Sequence, residues 1–370
     1  MALTTVSSQG IGFVTGRRNL IINGAMQVAQ RGTSSTSAGF ETVDRFEINR
    51  NNTDQIATTQ SQSTTAPDGF AHSYKHVATT AETTVDADER VRVRQNIEAQ
   101  NLQHLKYGTS GAEKVTLSFY VRSNVTGTYA CNILGDDASR QIGGTYTINT
   151  ADTWERKEIT FDGDTATHTI ANDNGIGFTV SWYLLAGTDY TATDNTSWGA
   201  SATGKEAYGH TADWGEDAND EWYITGVQLE VGSRASDFEH LSYGEDLQLC
   251  MRYLEIFGID PAATHNHQFW GAGRTLSLNR VDAGYSFCVP KTAFPALQKR
   301  QNQGINVNPS NTTNTSFTGT VDVVGISSQS ATTVTNVKQI VVRYTGGMTV
   351  TAGHNATVST IAIYRFDSEL

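Results

Sequence analysis

Trp182, Trp198, Tyr208, Trp214 and Trp222 crowd the stretch from residue 182 to residue 222. An aromatic face stacks on the apolar C–H face of a sugar while carboxylates and amides take its hydroxyls. Asp194, Asn195, Lys205, Glu206, Asp213 and Glu216 supply such polar partners, so the segment has the composition of a carbohydrate site. Trp182 and Trp222 fall inside strand patterns and are expected in a core. Trp198, Tyr208 and Trp214 stand among Gly, Ser, Asp and Thr in expected loops and are the candidate glycan-binding side chains.

Other constellations are weaker. Between Glu206 and Asp246 there are eleven acids against one base, Arg234. Asp213, Glu216, Asp217, Asn219 and Asp220 offer oxygen ligands to calcium, but their spacing is not that of an EF-hand loop and solvated loop charge is the commoner reading. His265-Asn266-His267 would point two imidazoles to one side of a strand; three copies around a threefold axis would offer six nitrogens to one metal, whereas a single copy is two loop histidines. Cys131, Cys250 and Cys288 are widely spaced, lack a zinc pattern and read as buried thiols. Paired carboxylates can hydrolyse glycosidic bonds, yet no phosphate loop, HExxH string or Ser-His-Asp neighbourhood is present. No catalytic residue, metal or cofactor is assigned.

The elements that must position these residues are mainly strands. In the stretch from Lys114 to Arg122, Val115, Leu117, Phe119 and Val121 alternate with Thr116, Ser118 and Tyr120, the pattern of a half-buried strand. Thr153–Phe161, Ile176–Leu184 and Glu221–Glu230 read the same way, and turn-rich spacing between them describes a jelly-roll β-sandwich over 36–240. Ser242-Tyr243-Gly244-Glu245 is a capping box, so a short linking helix is expected within 241–257. Its apolar stripe comprises Leu247, Cys250, Met251 and Leu254. Over 258–370 the β pattern resumes in a C-terminal β-sandwich-like domain, with 301–320 polar and expected as an exposed loop region.

Several segments together carry a resemblance. Near the start stand Asn19-Leu20-Ile21-Ile22-Asn23-Gly24-Ala25-Met26-Gln27 and Thr42-Val43-Asp44-Arg45-Phe46; later come Val227-Gln228-Leu229-Glu230-Val231-Gly232-Ser233 and Asp237-Phe238-Glu239-His240, and the chain closes on Ile363-Tyr364-Arg365-Phe366-Asp367-Ser368-Glu369-Leu370. In this order they resemble a family of tailed-bacteriophage tail-fibre and receptor-binding proteins. The resemblance implies a non-enzymatic virion protein, a fibre that is homotrimeric and binds a bacterial surface glycan through a jelly roll similar to a carbohydrate-binding module. A head-fibre or capsid-decoration protein and a polysaccharide depolymerase spike are the alternatives. The spike is disfavoured because depolymerases of this kind usually look like long repetitive β-helices, and no such repeat is present.

Charge refines these expectations. The formal net charge of −12, with 26 bases against 38 acids, argues against a nucleic-acid partner. No apolar run is long enough for membrane insertion. The first residues lack a basic start and an apolar core, so no secretory signal is expected, and assembly in the host cytoplasm into a virion fits. Residues 1–35 carry Arg17, Arg18 and Arg31 and no acid, which suits a virion-attachment arm docking on phage tail or adaptor proteins, or an arm that wraps its own domain. Leu247, Met251 and Leu254 are the candidate subunit-interface residues, on a stripe that either packs on its own domain or lines a threefold axis.

Overall fold

A computed structural model describes residues 17–257 and, by backbone, the strands between Phe269 and Asp367; side chains are described through Glu255. The chain divides into two compact units, Met1–Leu241 and Ser242–Leu370.

The first unit is a jelly-roll sandwich of two antiparallel six-stranded sheets. Its strands are β1 (Ser34–Ser35), β2 (Glu47–Asn51), β3 (Ala57–Ser63), β4 (Ser73–Thr80), β5 (Arg90–Glu98), β6 (Val115–Ser123), β7 (Gly127–Gly135), β8 (Arg140–Ile148), β9 (Glu155–Phe161), β10 (Ile176–Ala186), β11 (Gly199–Ala200) and β12 (Glu221–Val231). One sheet runs β1-β3-β4-β12-β6-β9 and the other β11-β8-β7-β10-β5-β2. Alternate residues of each strand face the other sheet. Leu117, Phe119, Val121, Trp222, Ile224 and Leu229 meet Val91, Val93, Cys131, Ile133, Val180 and Trp182 in one buried core. Phe119 stands edge-on to Trp182 with ring centroids 6.0 Å apart, joining the two sheets through a geometry that aromatic pairs favour. Burial pushes the Cys131 thiol up to about 12, so it is inert.

The first half of strand β6 is buried on both faces, while Tyr120 and Arg122 farther along stay half-buried as expected. Thr116 and Ser118 are enclosed because the chain after β12 folds back over them: Thr116 Oγ1 donates to Gly232 O at 2.9 Å, and Thr160 Oγ1 on β9 donates to Ser233 O at 3.4 Å. Residues 19–35 belong to the sandwich, not to a separate arm, since Ile21, Ile22, Met26 and Val28 are buried in it.

In the second unit a helix, α2 (Tyr243–Met251), opens on the expected capping box: Glu245 N donates to Ser242 Oγ at 3.3 Å and Ser242 N donates to Glu245 Oε2 at 2.9 Å. Leu247 and Met251 are half-buried. Leu254 is not on the helix stripe; it is fully buried and begins β13 (Leu254–Phe257). The remaining strands are β14 (Phe269–Ser277), β15 (Arg280–Lys291), β16 (Ala296–Lys299), β17 (Ile305–Pro309), β18 (Thr315–Phe317), β19 (Thr320–Val323), β20 (Val337–Thr345), β21 (Asn355–Thr360) and β22 (Tyr364–Asp367). They form antiparallel sheets in the orders β13-β22-β16 and β18-β17-β21-β14-β15-β20-β19. The polar stretch expected as a loop therefore contains two paired strands, β17 and β18. His265 and His267 lie outside the described residues.

Candidate functional site

The three candidate rings do not form a platform. Trp214 is 0% exposed and belongs to the core, so it offers no face to a sugar. Gly215, at φ +95°, turns the chain immediately after it and lets a polar loop send one ring inward. Trp198 is half-buried: its Nε1 donates to Asp162 O at 2.6 Å, and its ring stands edge-on to Tyr107 and His168, at 5.5 and 5.2 Å. Tyr208 is the exposed ring, at 38%. Trp198 precedes β11, which pairs with Arg140 and Gln141, while Gly209 next to Tyr208 packs against Thr145 of the same strand β8.

The N-terminal arginines are also committed. Arg31 is buried, pairs with Asp44 at 3.7 Å and lies over the Phe40 ring, so it is no exposed anchor. Arg17 donates to the carbonyls of Asn19, Leu20 and Ile21. Arg18 binds Asp237 O at 2.7 Å and pairs with Glu230 at 3.4 Å, while its amide donates to Glu239. These contacts hold residues 17, 18 and 31 against the sandwich, while residues 1–16 lie outside the described residues.

The acidic loop spends its buried carboxylate internally. Asp220 Oδ2 accepts from the amides of Gly215 at 2.9 Å and Asp217 at 3.3 Å, which fixes the loop. Burial raises the Glu216 carboxyl, and the neighbouring acids Asp213, Asp217 and Asp220 raise it further.

A stronger constellation lies on the outer face of the second sheet. With Val91 and Val93 turned inward, Arg90, Arg92 and Arg94 of β5 stand in a row outside. Register carries one polar row across five strands: Glu47 opposite Arg94, Arg94 opposite Ser181, Ser181 opposite Asn132, and Asn132 opposite Gly143. The next row places Asn49, Arg92 and Tyr183 side by side. Arg94 pairs with Glu47, and Arg90 and Arg92 with Glu206. The segment after β10 walls one side, with the short helix α1 (Thr188–Thr191) packing Tyr190 and Ala207 against Tyr183 and Ala130. Asn195 sits over Gly143, where a Cβ would lie 2.0 Å from its Nδ2.

This face has hydrogen-bonding capacity to spare. Ser181 Oγ, Asn132 Oδ1, Arg90 Nε and Arg92 Nε are buried without partners, a costly state that ordered water relieves. Asp136 beside them is raised above the usual carboxylate range by burial, against a hydrogen bond from Thr179 Oγ1 at 2.8 Å. The arginine row is thus offset by carboxylates on the same face, Glu47, Glu206 and Asp136. Its signal in the sequence is Arg90-Val91-Arg92-Val93-Arg94, which alternates with period two and places three cations on one side of a strand.

No protein-family model matches the sequence, and no curated protein matches it significantly. Among solved structures, the enzymatically active domain of tailspike protein 4 from bacteriophage CBA120 aligns over 58% of this chain and 21% of its own, at 11% identity and a TM-score of 0.31. The chain thus spans about a fifth of that tailspike. The family 11 carbohydrate-binding module of the Clostridium thermocellum cellulase Lic26A-Cel5E aligns over 55% of this chain and 96% of its own, at 10% identity and a TM-score of 0.28. The CBM22-1–GH10 modules of Clostridium thermocellum xylanase 10B, complexed with xylohexaose, align over 57% of this chain and 30% of theirs, at 10% identity and a TM-score of 0.27.

Proposed function

We propose that this chain is a non-enzymatic virion fibre protein of a tailed bacteriophage, binding a bacterial surface glycan on the outer face of β2, β5, β10, β7 and β8. The observation that carries the binding role is the pair Glu47–Arg94 with Arg92 beside it on β5, polar side chains that still reach solvent on this face. Sugars present vicinal hydroxyls that both donate and accept, and planar guanidiniums beside carboxylates match that pattern. Tyr208 and Trp198 lie along β8 and can add ring contacts at its border. The fibre role rests on the sequence resemblance; in that reading the chain is a homotrimer, assembled in the host cytoplasm and mounted on a tail or adaptor protein through the residues before Asn19.

Titration of the purified chain with fragments of host surface polysaccharide tests the site. Arg94→Ala and Arg92→Ala are expected to weaken binding by about tenfold each, or about 1.4 kcal/mol, with the fold retained. Unchanged affinity in both variants moves the site elsewhere. Labelling the subunit on imaged virions tests the mounting point, and a head position would replace the tail-fibre role with a head-fibre one.

A further inference from the structure

Two loops of the sandwich bring three carboxylates together with no base among them. Asp54 lies between β2 and β3, and Glu82 and Glu89 lie in the connection from β4 to β5. One oxygen of each lies within 4.8 Å of the other two. Glu82 is 0% exposed and Glu89 1%, while Asp54 reaches solvent.

Backbone amides aim these groups without neutralising them. Glu82 Oε2 accepts from Gln55 N at 3.3 Å and Ile56 N at 3.1 Å, which leaves Oε1 buried without a hydrogen-bond partner. Glu89 Oε1 accepts from Asp54 N at 3.2 Å and Oε2 from Asp86 N at 2.8 Å. Burial raises the Glu89 carboxyl, and the charges of Glu82 and Asp54 raise it further. An uncompensated buried carboxylate is unfavourable, and a cation would remove that cost for Glu82 and Glu89 at once.

We infer that Asp54, Glu82 and Glu89 form a binding site for a hard divalent cation of the calcium class. Oxygens sharing one calcium ion at about 2.4 Å lie no more than about 4.8 Å apart, and an all-oxygen ligand set excludes the softer transition metals. Water would complete the shell on the side where Asp54 meets solvent. Glu82 N donates to Gly215 O at 2.7 Å and Thr83 Oγ1 to Gln55 Oε1 at 2.8 Å, so an ion here would fasten the loops after β2, after β4 and before β12 to one another.

The test uses the full chain, stripped with EDTA, desalted and titrated with CaCl2 by calorimetry and by thermal melting, with MgCl2 in parallel. One calcium per chain and a rise in Tm of several degrees are expected, with magnesium at least about tenfold weaker because it dehydrates reluctantly. Asp54→Asn, an exposed change compatible with folding, should weaken calcium at least about tenfold by removing one ligand charge. Glu82→Gln should abolish the response while leaving the metal-free Tm equal or higher, since it relieves repulsion. Absence of heat and of a melting shift, equal affinity for magnesium, or an unaltered calcium response in Asp54→Asn would overturn the assignment.

Discussion

The carboxamide of Asn19 clamps β12 at Leu229: Asn19 Oδ1 accepts from Leu229 N at 3.0 Å while its Nδ2 donates to Val227 O at 2.9 Å. Leu20 N then donates to Leu229 O, and Val227 N to Gly24 O. The two segments most distinctive in the sequence, far apart in the chain, are thus one structural unit. Glu239 and Gln228 extend it, Glu239 accepting from the amides of Arg18 and Asn19 and donating its own amide to Gln228 Oε1.

This lock predicts the effect of two substitutions. A Cβ on Gly24 would stand 2.1 Å from Val227 O, and backbone on both sides leaves little room to yield. Gly24→Ala is expected to lower stability by about 2–4 kcal/mol, and Asn19→Ala, which strands the buried backbone groups Ile21 N, Leu229 N and Val227 O, by about 2–3 kcal/mol. Urea unfolding of the sandwich measures both, and a loss under about 0.5 kcal/mol in either would contradict the lock.

Trp214 and Tyr208 should separate stability from binding. Trp214→Ala empties a fully buried site and is expected to cost about 3–5 kcal/mol. Tyr208→Ala, at an exposed loop position, is expected to cost under about 1 kcal/mol and to reduce adsorption to host cells if its ring borders the glycan. Melting temperatures and adsorption rates, measured on the same pair of variants, decide it.

The difference between those rings shows what can be read from a sequence. Period-two alternation around Phe119, Trp182 and Trp222 carried the sheet and its core directly, because burial on one face leaves a signature every second residue. The capping box at Ser242 was equally local. Trp214 was not legible: Asp213, Gly215 and Glu216 give it a loop's composition, and only the turn at Gly215 sends the ring inward. Arg31 misled for the same reason, since its partner Asp44 arrives from a later segment. The Asp54–Glu82–Glu89 cluster joins two loops and has no linear spacing to find.

Assembly through α2 has a narrower prediction than the apolar stripe suggested. Leu247 and Met251 are half-buried in the chain, whereas Leu254 is enclosed in β13. If the chain is a homotrimer held through α2, Leu247→Glu or Met251→Glu should lower the mass measured in solution to that of the monomer while secondary structure persists. A wild-type chain monomeric at micromolar concentration would remove the trimer itself, and a trimer intact in both variants would remove α2 from its interface.

Acid should destabilise the sandwich before most carboxylates titrate. His76 is fully buried between Tyr74 and Trp222, and burial pulls it down to about 3; His210 is pulled down by burial to about 4, with its Nδ1 accepting from Ala130 N at 3.3 Å. Both are neutral in the folded chain at pH 5, whereas in the unfolded chain each takes up a proton near pH 6.5. The unfolded state then binds more protons, so stability is full above about pH 6.5 and falls as pH drops toward the folded values. At pH 5 the two together should cost about 4 kcal/mol, about 2 kcal/mol each. Thermal melts from pH 7.5 to pH 5 should show a falling Tm, and His76→Met should flatten that fall by about half. A Tm constant over this range would mean that these rings gain protons inside the fold.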